Sequence, residues 1–435
     1  MTTAARATQL HKLSVARSAT PDSPDSPIAL ENRFGAHIYH PLPVVLTRGE
    51  GVWLFDADGK RYLDMMSAYS AVSFGHSHPV LVKALTGQAQ TLAVTSRAFH
   101  SDQLGRFLQT LCRATGMARA LPMNSGAEAV ETGIKAARKW AYKVKGVAAG
   151  QAQIIVAEGN FSGRTTTLVG FSSEAQYRDG FGPFTPGFVT VPFGDAAALE
   201  AAITPNTAAF IVEPIQGEAG IIVPPAGYLK AVRDICTRHN VLMICDEVQT
   251  GLGRTGKMLA CDHEGVRPDG LMLGKALGGG LLPLSAFLAR ADVMAQFTPG
   301  DHGSTFGGNP LACAVGCAAL ELLESEQLAE RALELGDYLL AQLRRLNHPA
   351  IADIRGKGLL IGVQIDPAFA SARAVCEALM LEGVLTKDTH HTVVRLAPPL
   401  VIDRAQIDIA VAALGRVLNS MQVLARQAAS SVATG

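Results

Sequence analysis

Four apolar runs in the middle of the chain alternate with stretches of a different periodicity, and each leads into a charged residue. "QIIVAEGNF" (Gln153–Phe161) is β-branched and closes in turn residues. "AAFIVEPIQGEAG" (Ala208–Gly220) runs into Glu213, "VLMICDEVQTG" (Val241–Gly251) into Asp246, and "GLMLGKALGGG" into Lys275. Between the second and third, "YLKAVRDICTRHN" (Tyr228–Asn240) has helical spacing, and Asn240 suits a helix end. Strands separated by helices form βαβ units and a largely parallel sheet. Unbroken apolar strands mean that both faces are covered. Ligands of such sheets bind beyond the carboxyl ends of the strands, where Glu213, Asp246 and Lys275 all fall.

From about Glu321 the texture changes. "ESEQLAERALELGDYLLAQLRRL" reads as one long amphipathic helix, and "IADIRGKGLLIGVQI" and "TVVRLAPPLVI" as short strands with a helix between them. The 435 residues give room for a large sheet domain and a smaller α/β domain. The expected division is a disordered tail over 1–32, an N-terminal segment over 33–68, a large domain over 69–320, a small domain over 321–425 and a tail over 426–435.

Lys+Arg and Asp+Glu balance at 38 each, so neither nucleic acid nor anionic lipid is an expected partner. No apolar run reaches the roughly 18 residues of a membrane span. Seven cysteines without framework spacing read as reduced thiols. Cys313 and Cys317 share a helix face but lack a second ligand pair, and "GHSHP" and "CDHEG" place no ligands at i, i+4, so no metal site is expected. "MTTAARATQLHKLSVARSAT" has no acid and many Ser/Thr, and "PDSPDSP" then blocks regular structure. That composition suits a bacterial N-terminal tail in a cytoplasmic protein, and also a mitochondrial transit peptide.

Lys275 admits two readings. Its side chain can simply snorkel out where a strand ends, or it can be an amine kept partly dry, with a lowered pKa, for imine chemistry. "GLGRTGK" (Gly251–Lys257) imitates two phosphate-binding motifs, but "DEVQT" separates it from its strand, and Met258 stands where a P-loop has Ser/Thr. An ordinary glycine-rich active-site loop is the preferred reading. "MNSGAEAVETGIKAARKW" is a better phosphate cup. Asn124 and Ser125 can cap, Gly126 allows close approach, and a helix from Ala127 shows Ala127, Val130, Ile134 and Ala137 on one face. "HGSTFGGNP" adds a second Ser/Thr-Gly cluster, Ser304 to Gly308. Pyridoxal phosphate calls for such a set: a lysine for its aldehyde, a carboxylate for its ring nitrogen, donors for its phosphate and a flat apolar neighbour for its ring.

From about Phe34 to about Val417 the chain resembles class III aminotransferases, and among them the ornithine aminotransferases, in "GAHIYHPLPV", "SAYSAVSFGHSHP", "TSRAFH", "NFSGRT", "DGFGPFTPGF", "VEPIQGEAG", "GKALGGG", "HGSTFGGNPL" and "VVRLAPPL". The resemblance implies an α/β, fold-type-I transferase: a large domain with a mixed, mostly parallel sheet, a small C-terminal α/β domain, and an obligate homodimer. It implies that Lys275 is the imine-forming lysine and proton shuttle, that Asp246 pairs with the pyridine nitrogen, and that Gln249 contacts the phenolic oxygen. By the same resemblance Phe161 stacks on the ring, Gly126 and Ala127 hold the phosphate on one side and Thr305 holds it from the partner subunit, with Ser125 and Ser304 among the cofactor-binding residues. Tyr39 and Arg164 match positions that hold the α-amino and α-carboxylate groups of L-ornithine, and Tyr69 matches one that shapes the pocket. Glu218 and Arg395 match a pair in which the glutamate masks the arginine. The implied reaction is transfer of the δ-amino group of ornithine to 2-oxoglutarate, with acetylornithine, 4-aminobutyrate or lysine as alternative donors. Ser162, Ala127 and Val130 are small departures at the pocket edge.

Overall fold

The computed structural model describes residues 23–433. The acid-poor stretch, residues 1–20, read above as a tail or a transit peptide, lies outside the described residues. Of the tail expected over 1–32, residues 27–32 belong to a helix, Pro27–Phe34. Ser26 Oγ accepts from Ala29 N at 3.2 Å, and Pro27 sits where its missing N–H costs nothing.

The central sheet has seven strands, in the order Arg119–Met123, Ser285–Ala289, Gly270–Leu273, Leu242–Asp246, Thr207–Val212, Gln153–Ala157, Phe188–Val191. The last five in that order pair in parallel. Ser285–Ala289 runs antiparallel between Gly270–Leu273 and Arg119–Met123. The sheet is therefore mixed and mostly parallel, as expected from the apolar runs.

Both of its faces are buried. Ile155, Phe210, Met243, Cys245, Leu271 and Leu273 belong to the core on one side, and Ile154, Val156, Ile211, Ile244 and Met272 to the core on the other. Alternate residues of each strand thus have separate partners, which fixes the register and with it the residue at which each strand ends. The helix Gly126–Trp140 lies on the second face. A Cβ at Gly133 would stand 2.4 Å from Met272 Cε, so glycine lets helix and sheet approach.

Two four-stranded sheets flank this body. One is ordered Leu46–Glu50, Trp53–Asp56, Arg61–Asp64, Val384–Leu385, and its last pair is parallel. It joins the early chain to the late chain. The other is antiparallel, ordered Ile351–Lys357, Leu360–Ile365, Val393–Leu396, Lys387–Thr389.

The long helix expected over residues 324–346 starts only at Leu328 and runs to Arg345, because Gln327, with φ 51, separates it from the preceding helix Pro310–Ser325. The domain boundaries expected at 32/33, 320/321 and 425/426 each fall inside a helix, the last inside Arg404–Ala433. Among the described residues one helix segment, Arg404–Leu424, is long and apolar enough to cross a membrane, contrary to the reading of the sequence. Packing explains its composition: Ile407, Leu414 and Leu418 are buried in the same core as Leu339 and Leu343 of the helix Leu328–Arg345.

Candidate active site

The phosphate cup is a capped helix start. Ser125 Oγ accepts from Glu128 N at 3.2 Å, while Glu128 Oε2 accepts from Ser125 N at 2.7 Å and Asn124 N at 2.9 Å. This reciprocal cap leaves the N–H groups of Gly126 and Ala127 without a partner among the described residues. The loop holding Phe161 lies directly on this end. At Gly163 (φ 122) a Cβ would stand 2.9 Å from both Ala127 Cβ and Leu168 Cδ1.

The cleft in front of the cup has a volume of about 190 Å³ and is lined by Gly126, Ala127, Phe161, Asp246, Gln249 and Lys275, among others. Asp246 ends its strand and is buried. Burial pushes its carboxyl up to about 6, against the opposing hydrogen bond from Val248 N at 3.1 Å and the charge of Lys275. Lys275 follows the strand Gly270–Leu273 with φ 45, a left-handed backbone rare outside glycine. Burial lowers the pKa of its amine, as imine chemistry needs, against Glu218, which raises it. Lys275 is half-buried and lines the cleft.

Glu218 and Arg395 form a bidentate pair, Nη1 to Oε1 at 2.7 Å and Nη2 to Oε2 at 2.9 Å, with side chains 23% and 1% exposed. Burial alone would raise the Glu218 carboxyl. The Arg395 charge and hydrogen bonds, with Lys275 and Gln249, instead hold it down at about 2. The other face of Arg395 lies 5.0 Å from the Tyr69 ring centroid. Tyr69 sits in a run of four non-glycine residues in the left-handed region, Ser67 (φ 45), Ala68 (φ 47), Tyr69 (φ 60) and Ser70 (φ 71). Such a turn costs roughly 1–2 kcal/mol per residue and persists only where the surroundings over-determine it. Across the cleft Arg164 is held by rings, 3.6 Å from the Tyr177 centroid and 5.6 Å from that of Phe161.

The structure thus gathers Gly126, Ala127, Phe161, Asp246, Gln249, Lys275 and Glu218 around one cleft, with Arg395 and Tyr69 behind Glu218 and Arg164 beside Phe161. Ser125 caps the cup. Ser304 Oγ accepts from Asn124 Nδ2 at 2.8 Å, so its loop is tied to the cup. Thr305 is exposed, and Tyr39 is 75% exposed.

Glu213 does more than its place at a strand end suggested. Its Oε1 accepts from Phe161 N at 3.0 Å and its Oε2 from Gly217 N at 3.2 Å, so it bridges the loops of Phe161 and Glu218. Burial, then the charge of Asp246, pushes its pKa up to about 8. Glu247, the next residue after Asp246, is a buried anchor that accepts from Ala260 N and Cys261 N at 2.9 Å each. Its sequence signal was a second acid at a strand end. "GLGRTG", expected to be an active-site loop, does not line the cleft. Residues 251–256 are buried in the body of the fold.

The residues fit pyridoxal phosphate. A free N–H pair at a helix start suits a phosphate, a buried strand-end carboxylate suits a protonated ring nitrogen, and a buried, unpartnered Gln249 Oε1 waits beside them.

Residues 34–418 match the family model for aminotransferase class-III. The chain is 56% identical over 390 residues to the ornithine aminotransferase of Geobacillus sp. (strain WCH70), covering 90% of this chain and 97% of that one. It is 57% identical over 391 residues to that of Exiguobacterium sp. (strain ATCC BAA-1283 / AT1b), with 90% and 97% covered. Among solved structures, the ornithine aminotransferase from Toxoplasma gondii, in which PLP partly occupies the active site, superposes with a TM-score of 0.92 at 42% identity, covering 96% of this chain and 98% of that one. The acetylornithine aminotransferase from Elizabethkingia anophelis gives 0.82 at 50% identity, with 90% and 98% covered.

Proposed function

The chain belongs to the class-III aminotransferase family, and from that premise we propose that it is a pyridoxal-phosphate-dependent ornithine aminotransferase. It moves the δ-amino group of L-ornithine to 2-oxoglutarate, giving glutamate 5-semialdehyde, which cyclises to pyrroline-5-carboxylate, and glutamate. The observation that carries the choice of substrates is the buried Glu218–Arg395 pair beside Lys275, in a chain more than half identical to relatives of that name.

Bound pyridoxal phosphate supplies an aldehyde that takes up an amino group and a ring that draws electrons from the neighbouring carbon. Every other part of the reaction falls to the chain. The Gly126 and Ala127 N–H groups and Ser125 would hold the phosphate, with Ser304 beside them and Thr305 of a second subunit joining from the other side. Phe161 would lie against the ring, and Gln249 would meet its phenolic oxygen. Asp246, as a carboxylate, would hold the proton on the ring nitrogen. Lys275, its amine pKa lowered by burial, would bind the aldehyde and would take and return a proton at Nζ.

One pocket has to accept two acids. Arg164, stacked on Tyr177 rather than paired with an acid, takes the distant α-carboxylate of ornithine, and Tyr39 its α-amino group. Glu218 neutralises Arg395 during that half-reaction, so no second carboxylate site competes. When Glu218 turns aside, Arg395 receives the α-carboxylate of 2-oxoglutarate close to Lys275. The amino group leaves in one half-reaction and arrives in the other, so the kinetics are ping-pong.

A dimer accords with the exposed Phe99, Phe181 and Phe306, an unusual set of large apolar side chains for a free surface. We assign the cofactor site to a large domain over residues 69–320 and the Arg395 side of the pocket to a small domain over 321–425, with the break itself near Gln327. A cytoplasmic location accords with the bacterial relatives, which lend no support to a mitochondrial one.

N-acetylornithine as donor is the second reading, favoured by the 50% identical acetylornithine aminotransferase. A panel of ornithine, N-acetylornithine, 4-aminobutyrate and lysine, each with 2-oxoglutarate and with products identified, separates the two. Ornithine should have the highest kcat/KM, because a site that hydrogen-bonds a free amine rejects an acylated one. Equal or better use of N-acetylornithine would remove the first reading.

A further inference from the structure

We propose that Arg254 is a positioning residue for the acid end of the substrate: it holds the turn that carries Tyr69 and the strand end that carries Arg395 in one fixed relation. The inference rests on the reading of Arg395 as the carboxylate site.

Arg254 is the arginine of "GLGRTG", and it is fully buried. No carboxylate is bonded to its guanidinium among the described residues. Nη1 donates instead to Leu359 O at 3.0 Å and Pro398 O at 2.5 Å, and Nη2 to Ser67 Oγ at 3.2 Å and Ser73 Oγ at 3.1 Å. Both hydroxyls pass the connection on. Ser67 Oγ donates to Ala397 O at 2.7 Å, and Ser73 Oγ donates to Ser70 O at 3.1 Å.

The two halves of this network are the two sides of the substrate pocket. Ser67 and Ser70 are the first and last residues of the left-handed turn around Tyr69. Ala397 and Pro398 directly follow the strand Val393–Leu396, which presents Arg395. Leu359 adjoins the neighbouring strand Leu360–Ile365. One planar fork therefore fixes a strained turn from one side and the backbone beyond Arg395 from the other. A lysine in its place would offer its donors from a single point and could not span both. With the fork lost, the turn is free to leave the left-handed region, and Tyr69 leaves the face of Arg395. The cofactor cup, built from residues 124–128 and 161–163, has no part in the network.

Two variants test this on the cofactor-loaded enzyme, Arg254→Lys and the milder Ser73→Ala. The readings are the dissociation constant of glutarate, a dicarboxylate with no amine or ketone to react, and the saturation of the ornithine and 2-oxoglutarate half-reactions measured separately. Arg254→Lys should weaken glutarate and 2-oxoglutarate by about tenfold, the scale of a lost hydrogen bond from a charged group. Ser73→Ala should do the same by about two- to threefold, the scale of a weaker neutral bond. Ornithine saturation should move less in both, and cofactor content should stay at the unaltered level. Unchanged glutarate binding in folded, loaded Arg254→Lys overturns the proposal, and so does an equal loss for both substrates accompanied by cofactor loss. If Arg254→Lys does not fold, Ser73→Ala decides by the same readings. Failure of the unaltered protein to use ornithine with 2-oxoglutarate would count against the assigned reaction, not against Arg254.

Discussion

Lys275 holds a left-handed backbone at the lip of a buried strand, and that position decides what its removal does. Lys275→Ala should keep the phosphate and ring contacts, lose the borohydride-reducible link to the cofactor, and lose at least about 10²–10⁴-fold in turnover, the share of a placed proton-transfer group. Peptide mass after borohydride treatment and steady-state rates check both parts. Glu218→Ala should raise α-transamination of ornithine relative to δ-transamination. Breaking a buried pair leaves an uncompensated charge worth about 3–5 kcal/mol. If about 1.4 kcal/mol of that goes into binding the α-carboxylate, the product ratio shifts about tenfold. Chromatography of the two products reads the ratio, and an unchanged ratio would make the pair a structural bridge. Lys275 and Asp246 were legible in the sequence because apolar runs fix where strands end. The turn at Ser67–Ser70 was not, because four ordinary residues hold positive φ there through contacts with residues nearly two hundred and more than three hundred positions away.

At the scale of elements, the site depends on how loops rest on the ends of strands and helices. Glu213 joins the loops of Phe161 and Glu218, and its folded pKa of about 8 lies above the ordinary 4.5. A carboxyl raised in the folded state contributes stability that is complete below its unfolded value and is lost as pH rises to its folded one. Stability should therefore decline between about pH 4.5 and 8 by a share that Glu213→Gln removes, as denaturant midpoints across that window would record. Gly163→Ala should weaken cofactor binding and lower the melting temperature, since its Cβ meets Ala127 and Leu168 at 2.9 Å and its φ is 122. Titration with pyridoxal phosphate measures the first effect. The capped helix at Gly126 was readable from Asn124 and Ser125 as caps ahead of it. The break at Gln327 was not, because neither glycine nor proline marks it.

For the whole molecule, exposed Phe99, Phe181 and Phe306 accord with a surface that a second copy covers. Sedimentation should find a dimer at micromolar concentration, and Phe306→Glu should shift it toward monomer with loss of cofactor. A wild-type monomer that keeps its cofactor would refute the shared site. The parallel pairing of Arg61–Asp64 with Val384–Leu385 has a further consequence. The residues of one chain that we assign to the cofactor lie between Ser125 and Lys275, whereas the acid pocket we assign draws on Tyr69 from before them and Arg395 from long after. A nascent chain leaving the ribosome can close its sheet once Ser285–Ala289 has emerged, but Tyr69 has nothing to face for another hundred residues. Domains fold as units during synthesis, so the growing chain completes its own share of the cofactor site well before the means to tell one amino acid from another.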